Sequence, residues 1–386
     1  MRQQTAPEIR VDGFTFPPFS LARLMRTVFD LKPGESFGVF TDLEDEKEVV
    51  DLRFLGARGP SPRKHAYRTL YRGLRDLREE LAIADVAFYA YRETGGSNLD
   101  LPGTVTAPDA TELPLRSALA RHSIVLFMGR YSATAPVTAL AKEMGFRGAT
   151  MHGANDRILS TGLAVDYDEV SARAERLRRA LTRADSARME WHVAGRDVAL
   201  ELDLDRQEAQ KSHGLVRDAG EIANLPAGEV YWVPADAEGF LPQKFDDGTI
   251  AVFEVRDRGI TALSQFFRGD RALVEDHLAT ILRDPNAGQI TELGLGTQSL
   301  PFADADIQDE KILGTAHVAT GRSDHLGGDI DSGSFLDRRN ATHNDILFAP
   351  NKTPEIELRR VILRKDGRET TILRDYRPTA FLDAFL

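Results

Sequence analysis

Ser123-Ile124-Val125-Leu126-Phe127-Met128 is followed by Thr134–Met144 and then by Phe146–Met151. A short apolar run, a stretch of helical spacing and a second short apolar run spell strand, helix, strand. At this spacing the helix serves as the crossover between two parallel strands. Working outward, Glu35–Asp42 and Ala84–Tyr91 are further strand candidates in the same half of the chain. Between them, residues 63–81 carry Leu70, Leu74, Leu77 and Leu81 at helical intervals. Ahead of them, residues 1–30 place Phe19, Leu21, Leu24, Met25, Val28 and Phe29 on an amphipathic segment. The first half is therefore read as an open, parallel α/β sheet.

The texture changes beyond the charged helix expected over 166–186. From Trp191 onward, short alternating runs are separated by Gly, Asp and Pro: Val198–Leu204, Val230–Val233, Thr249–Val255, His317–Thr320, Ile356–Leu363 and Glu369–Leu373. That pattern predicts a β-rich α+β second half. The boundary is expected near residue 190, giving domains 1–190 and 191–386. A chain of 386 residues is in any case too long for one ordinary core.

Composition narrows the function classes. A net charge of -11 argues against a nucleic-acid partner, which calls for a concentrated basic face. The chain has no cysteine, so disulfides, thiolate zinc sites and cysteine nucleophiles are excluded. No apolar run is long enough to span a bilayer and Met1–Arg10 is polar, so a cytoplasmic protein with no membrane partner is expected. Thr94-Gly95-Gly96-Ser97-Asn98 reads as a turn, since neither a dinucleotide fingerprint nor a phosphate-binding loop joins a strand to a helix here. Ser332-Gly333-Ser334 likewise lacks the elbow context of a nucleophilic serine.

The chemistry gathers in the β-rich half. Gly314-Thr315-Ala316-His317-Val318-Ala319-Thr320-Gly321 reads as a short strand with one imidazole leaving it. In His343-Asn344-Asp345 the imidazole and the carboxylate are two residues apart, so on a strand they share a face. Glu229 follows a Pro/Gly turn at the start of an apolar strand, and Glu292 sits in the Gly-punctuated run Glu292-Leu293-Gly294-Leu295-Gly296-Thr297. A carboxylate entering an apolar strand is costly unless paired, hydrogen-bonded or metal-bound. Two glutamates, an aspartate and two neutral imidazoles could hold one or two divalent ions, the set suited to activating water for hydrolysis. The ordinary alternative has Glu229 facing solvent, Glu292 paired with an arginine and His317 satisfied in the core.

Four stretches in order, Asn224-Leu225-Pro226-Ala227-Gly228-Glu229-Val230, Glu292–Thr297, Asp309–Gly321 and His343–Asp345, resemble the thermophilic metallo-aminopeptidases of the aminopeptidase T and aminopeptidase S type. The resemblance implies a divalent-metal site, with one or two ions of Zn, Co, Mn or Mg per chain. Its ligands would be Glu229, Glu292, His317, His343 and Asp345, with Glu229 and Glu292 as the carboxylates closest to the chemistry. It also implies a homodimer that removes N-terminal residues from small peptides or cleaves small amides. Two departures stand out: Arg322-Ser323-Asp324-His325 lies where the family has a tyrosine, and Asn344 lies where it has an apolar or aromatic residue. Asp324 and His325 are expected in a solvated loop, and Gly327–Asn340 as a lid or wall beside the site. A related group of the same general fold holds iron and opens 2,5-dihydroxypyridine rings with O₂. As aligned here, it has histidine at the Glu292 position and serine at the His317 position, so this chain follows the peptidase pattern. The alternatives are that dioxygenase chemistry, a specialised small-molecule amidase, and a dimeric binding or scaffold protein without activity.

Overall fold

The computed structural model describes residues 8–386 apart from 57, 59 and 60. It divides into two compact units. One comprises Met1–Ser171, His213–Ala227 and Leu300–Gln308, the other Ala172–Ser212, Gly228–Ser299 and Asp309–Leu386. The boundary expected near residue 190 falls inside a strand, Ser186–Val193, and the chain leaves and re-enters the second unit twice. Contiguous composition could not show those returns. No helix among the described residues is long and apolar enough to cross a membrane.

The first unit contains the strand–helix–strand motif as read: Ile124–Phe127, Thr134–Met144 and Arg147–Thr150, with the two strands parallel. Gly145, left-handed at φ 80°, ends the helix and its N–H bonds back to the Ala141 carbonyl. The sheet has seven strands in the order Ile222–Asn224, Arg147–Thr150, Ile124–Phe127, Ser36–Leu43, Asp85–Arg92, Thr104–Thr106, Glu112–Pro114. The first five are mutually parallel, and the last two join by antiparallel pairings, so the sheet is open and mixed at one edge. The helix expected over 63–81 runs from Ser61 to Asp76, widened into a π turn over Ala66–Tyr71.

In sheets of this kind ligands favour the carboxyl ends of the strands where the winding reverses. Here that place, between Ser36–Leu43 and Ile124–Phe127, is spanned by the unit's own side chains. The buried Asp42 carboxylate accepts the backbone N–H groups of Arg130 (2.9 Å) and Tyr131 (3.1 Å) and the Arg63 Nε–H (3.0 Å). Arg63 pairs in turn with Glu93.

The second unit is β-rich, with two antiparallel sheets. Eight strands run in the order Gly259–Arg268, Ile250–Arg256, Asp236–Lys244, Arg196–Asp203, Ser186–Val193, Ile356–Lys365, Arg368–Arg374, Arg377–Pro378. Five run in the order Gln210–Ser212, Glu229–Trp232, Ile290–Gly296, Ala316–Gly321, His343–Phe348. One core holds them together. Val230, Trp232, Leu293, Leu295, Val318 and Phe348 from the five-stranded sheet meet Met189, Trp191 and Leu200 from the eight-stranded one, with the Trp191 and Phe348 rings 4.8 Å apart. Burying each large side chain contributes roughly 1.5–3 kcal/mol. Because strand side chains alternate, committing these residues to the core sends their neighbours to the other face of the five-stranded sheet. That other face carries the polar groups.

Candidate metal centre

Strand register puts all five expected ligands on one face. Glu229 pairs with Gly296, Gly294 with His317, Glu292 with Ala319, Ala319 with Asp345, and Gly321 with His343. Directly opposed residues share a face, so Glu229, Glu292, His317, His343 and Asp345 project together, interleaved with Gly294, Gly296, Ala319 and Gly321. The small residues leave room for the large ones. A Cβ on Gly294 would lie 2.1 Å from His317 Cε1, so the imidazole lies across a strand that only glycine leaves bare. Gly321 has φ +97°, and a Cβ there would meet the Thr342 carbonyl oxygen at 2.2 Å.

The donor atoms converge. His343 Nε2 is 3.0 Å from Glu292 Oε2 and 3.2 Å from Asp345 Oδ1. His317 Nε2 is 3.4 Å from Glu292 Oε1, and 3.9 Å from both Glu229 Oε2 and Asp345 Oδ1. Two groups emerge, Glu229–Glu292–His317 and Glu292–His343–Asp345, each with donor atoms within 4.8 Å of one another, and Glu292 belongs to both. The expected set is thus brought together entire. None of the ordinary alternatives holds: Glu229 is buried, and among the described residues Glu292 faces histidines and no arginine and the buried His317 Nδ1 has no partner.

Electrostatics follow from that crowding. Burial pushes the Glu292 carboxyl up, but hydrogen bonds and charge from His317 and His343 outweigh it and hold the group at about 2. Burial opposes charge on His317, yet the Glu292 hydrogen bond and the carboxylates of Glu292, Asp345 and Glu229 raise it to about 10. Burial likewise opposes charge on His343, and Asp345 and Glu292 raise it well above its ordinary value. The face therefore attracts positive charge strongly. Oxygen and imidazole donors suit a divalent ion, and the buried Glu229 Oε2 has no hydrogen-bond partner of its own. The residues present fit a metal.

Four further residues belong to the site. Lys311, with a side chain 2% exposed, lies 2.8 Å from Glu229 Oε1 and 2.6 Å from Glu310 Oε1. Burial raises the Glu310 carboxyl to about 7, with Asp345 and Glu229 adding to the effect and Lys311 opposing it. In sequence neither stands out as a site residue, because buried lysines are rare. The one available signal was their place just ahead of the apolar Ile312-Leu313. Tyr231 shares the face of Glu229 by strand alternation and its hydroxyl donates to Gln210 Oε1 at 3.4 Å. His325 overturns the expectation of a solvated loop. Its side chain is 5% exposed and its ring stands edge-on to His343, with centroids 4.9 Å apart. Asp324, 24% exposed, is clasped by the Arg322 guanidinium at 2.7 and 3.0 Å. The Gly327–Asn340 loop is tied down on its own unit: Asp284 Oδ2 accepts from the Asp337 N–H (3.1 Å) and Asn340 Nδ2 (3.0 Å), and Asn286 Nδ2 donates to the Ser334 carbonyl (2.6 Å).

Gly294→Ala is expected to weaken metal uptake by roughly 10–100-fold without touching a ligand, because the methyl group must push His317 aside. Titration of the metal-free variant with Zn²⁺ checks it, and unchanged affinity would refute the packing argument.

Fold and site together define a mixed α/β protein whose β-rich unit carries a carboxylate–imidazole cluster able to hold divalent metal. No family model and no curated protein matches the chain. Among solved structures it is similar to 2,5-dihydroxypyridine dioxygenase from Pseudomonas putida KT2440, with 15% identity over 93% of this chain and 95% of that chain and a TM-score of 0.58. At that identity the likeness establishes the fold and leaves the reaction to the site.

Proposed function

We propose that the chain is a divalent-metal-dependent hydrolase of the aminopeptidase type, acting on small peptides or small amides. The observation that carries this reading is the pair of three-residue groups sharing Glu292, a donor set that would suit two ions and the hydrolytic chemistry such ions supply. Bound ions would supply an activated water and polarise the scissile carbonyl.

The chain's own residues prepare that chemistry. Glu229, Glu292 and His317 would hold one ion, and Glu292, His343 and Asp345 the other. His343 Nδ1 donates to the Arg322 carbonyl at 2.7 Å, which fixes its tautomer and turns Nε2 toward Glu292 and Asp345. Lys311 orients Glu229 by holding Oε1 and leaving Oε2 toward the cluster. The apolar core behind the sheet, with Val318 fully buried in it, excludes water from its far side. Homodimerisation, implied by the family resemblance, belongs to the same proposal.

The fold likeness favours a second reading, an iron-dependent ring-cleaving dioxygenase. His317, His343 and Asp345 would offer two imidazoles and one carboxylate to iron, though the related group has serine at the His317 position. The two readings part on oxygen. A panel of aminoacyl amides incubated with metal-loaded protein under nitrogen is expected to release ammonia, with no O₂ consumed on 2,5-dihydroxypyridine in air. Oxygen uptake with no amide cleavage would replace the first reading with the second. Absence of both activities, in a protein that binds metal, would favour a binding role or a more specialised amide.

A further inference from the structure

We propose that the two ion positions on this face are unequal by construction: an ion held by Glu292, His343 and Asp345 binds tightly, and one held by Glu229, Glu292 and His317 binds loosely. The inference rests on the metal-centre reading above and goes beyond it by assigning order and strength to the two positions.

Two independent observations carry it. The first is Lys311. Its ammonium sits 2.8 Å from Glu229 Oε1 with a side chain only 2% exposed, so little solvent screens it. One oxygen of Glu229 is thereby taken, and half of that group's attraction for a cation is already answered. A divalent ion at the remaining Oε2 would also stand close to a fixed positive charge. No lysine or arginine lies against Asp345 at ion-pair distance among the described residues; its partners there are the two histidines.

The second observation concerns the imidazoles. A ligating histidine ordinarily donates its other ring N–H to an acceptor, which fixes the ring and strengthens it as a ligand. His343 has that support in the Arg322 carbonyl at 2.7 Å, and His325 packs edge-on against its ring. His317 does not: its Nδ1 is buried with no hydrogen-bond partner among the described residues. The weaker carboxylate and the unsupported imidazole thus fall on the same position. The supported imidazole falls on the other, with a carboxylate that feels Lys311 only at longer range and without direct contact. Glu292 contributes to both and does not distinguish them.

The test is titration of metal-free protein with Zn²⁺ alone, read by calorimetry and by metal content after dialysis. Wild type is expected to show two classes of site differing by at least roughly tenfold, the scale of outer-shell changes at metal sites. Dialysis should then leave about one ion per chain. Glu229→Gln should lose the loose class and keep the tight one, and Asp345→Asn should lose the tight one. Lys311→Met should bring the loose class closer to the tight one. Because that variant also strips a buried counter-charge, Glu229→Gln and Asp345→Asn decide the matter, each checked for a native circular-dichroism spectrum. Two equivalent sites in wild type, or loss of the tight ion in Glu229→Gln, would overturn the inequality while leaving the metal centre standing. No Zn²⁺ uptake at all would overturn the metal centre itself, and the inequality with it.

Discussion

Glu292→Ala is expected to empty both ion positions at once, taking metal content from up to two ions per chain to near zero. No other single ligand should do so, because Glu292 alone belongs to both donor groups. Glu229→Ala and Asp345→Ala should each empty one position and leave the other with its three ligands intact. Hydrolysis by Glu292→Ala should fall by at least about a thousandfold, since losing the ions removes both the activated water and the charge stabilisation. The variant also withdraws the acceptor that His317 and His343 face at 3.4 and 3.0 Å. A stability loss of about 1–3 kcal/mol should accompany the loss of metal, the usual cost of leaving buried polar groups unsatisfied. Metal analysis beside a urea melt separates the two effects. A variant that retained one ion would show that Glu292 is not shared.

The second large effect belongs to Lys311→Met. Methionine fills much of the lysine's volume but leaves Glu229 and Glu310, both buried, without their common cation. Breaking a buried pair by deleting one partner costs about 3–5 kcal/mol, whereas an exposed pair would cost almost nothing. Thermal unfolding of the second unit should therefore drop by on the order of 10 °C. The pH dependence has a definite sign. Glu310 is raised above its ordinary carboxyl value, to about 7, so the folded protein binds its proton more tightly than the unfolded chain does. Its contribution is fully present below about pH 4.5 and is lost as pH rises through 7. Without Lys311 that loss should grow and extend to higher pH, making the deficit larger at pH 8 than at pH 5. Divalent metal should recover part of it by binding the folded state only. Equal urea midpoints for variant and wild type at both pH values would mean that Lys311 is solvated in solution.

Much of this was legible in the chain. Ile124–Phe127, Thr134–Met144 and Arg147–Thr150 declared a parallel crossover because hydrophobic period and length agreed at every step. The ligand face was legible at His343 and Asp345, where a spacing of two on a strand is itself a geometric statement. Joining these two to Glu229, Glu292 and His317 needed strand register, which pairs residues far apart in the chain and leaves no local trace. Gly294 could be seen but not understood, since its role is the space it cedes to His317 on the neighbouring strand. His325 was expected in a solvated loop and Lys311 went unremarked for one reason: charged and polar residues beside a turn are usually solvated, and what buries these two is the rest of the unit. The division into units was hidden because the chain passes back to the first unit at 213–227 and at 300–308.

The most direct test of the metal centre is anomalous X-ray scattering from crystals of the protein loaded with Zn²⁺, collected on either side of the zinc edge. Two peaks are expected on the ligand-bearing face of the five-stranded sheet, one among Glu229, Glu292 and His317 and one among Glu292, His343 and Asp345, with the second the stronger at low metal. Peaks elsewhere, or none on this face with Lys311 and the histidines still holding the carboxylates, would contradict it.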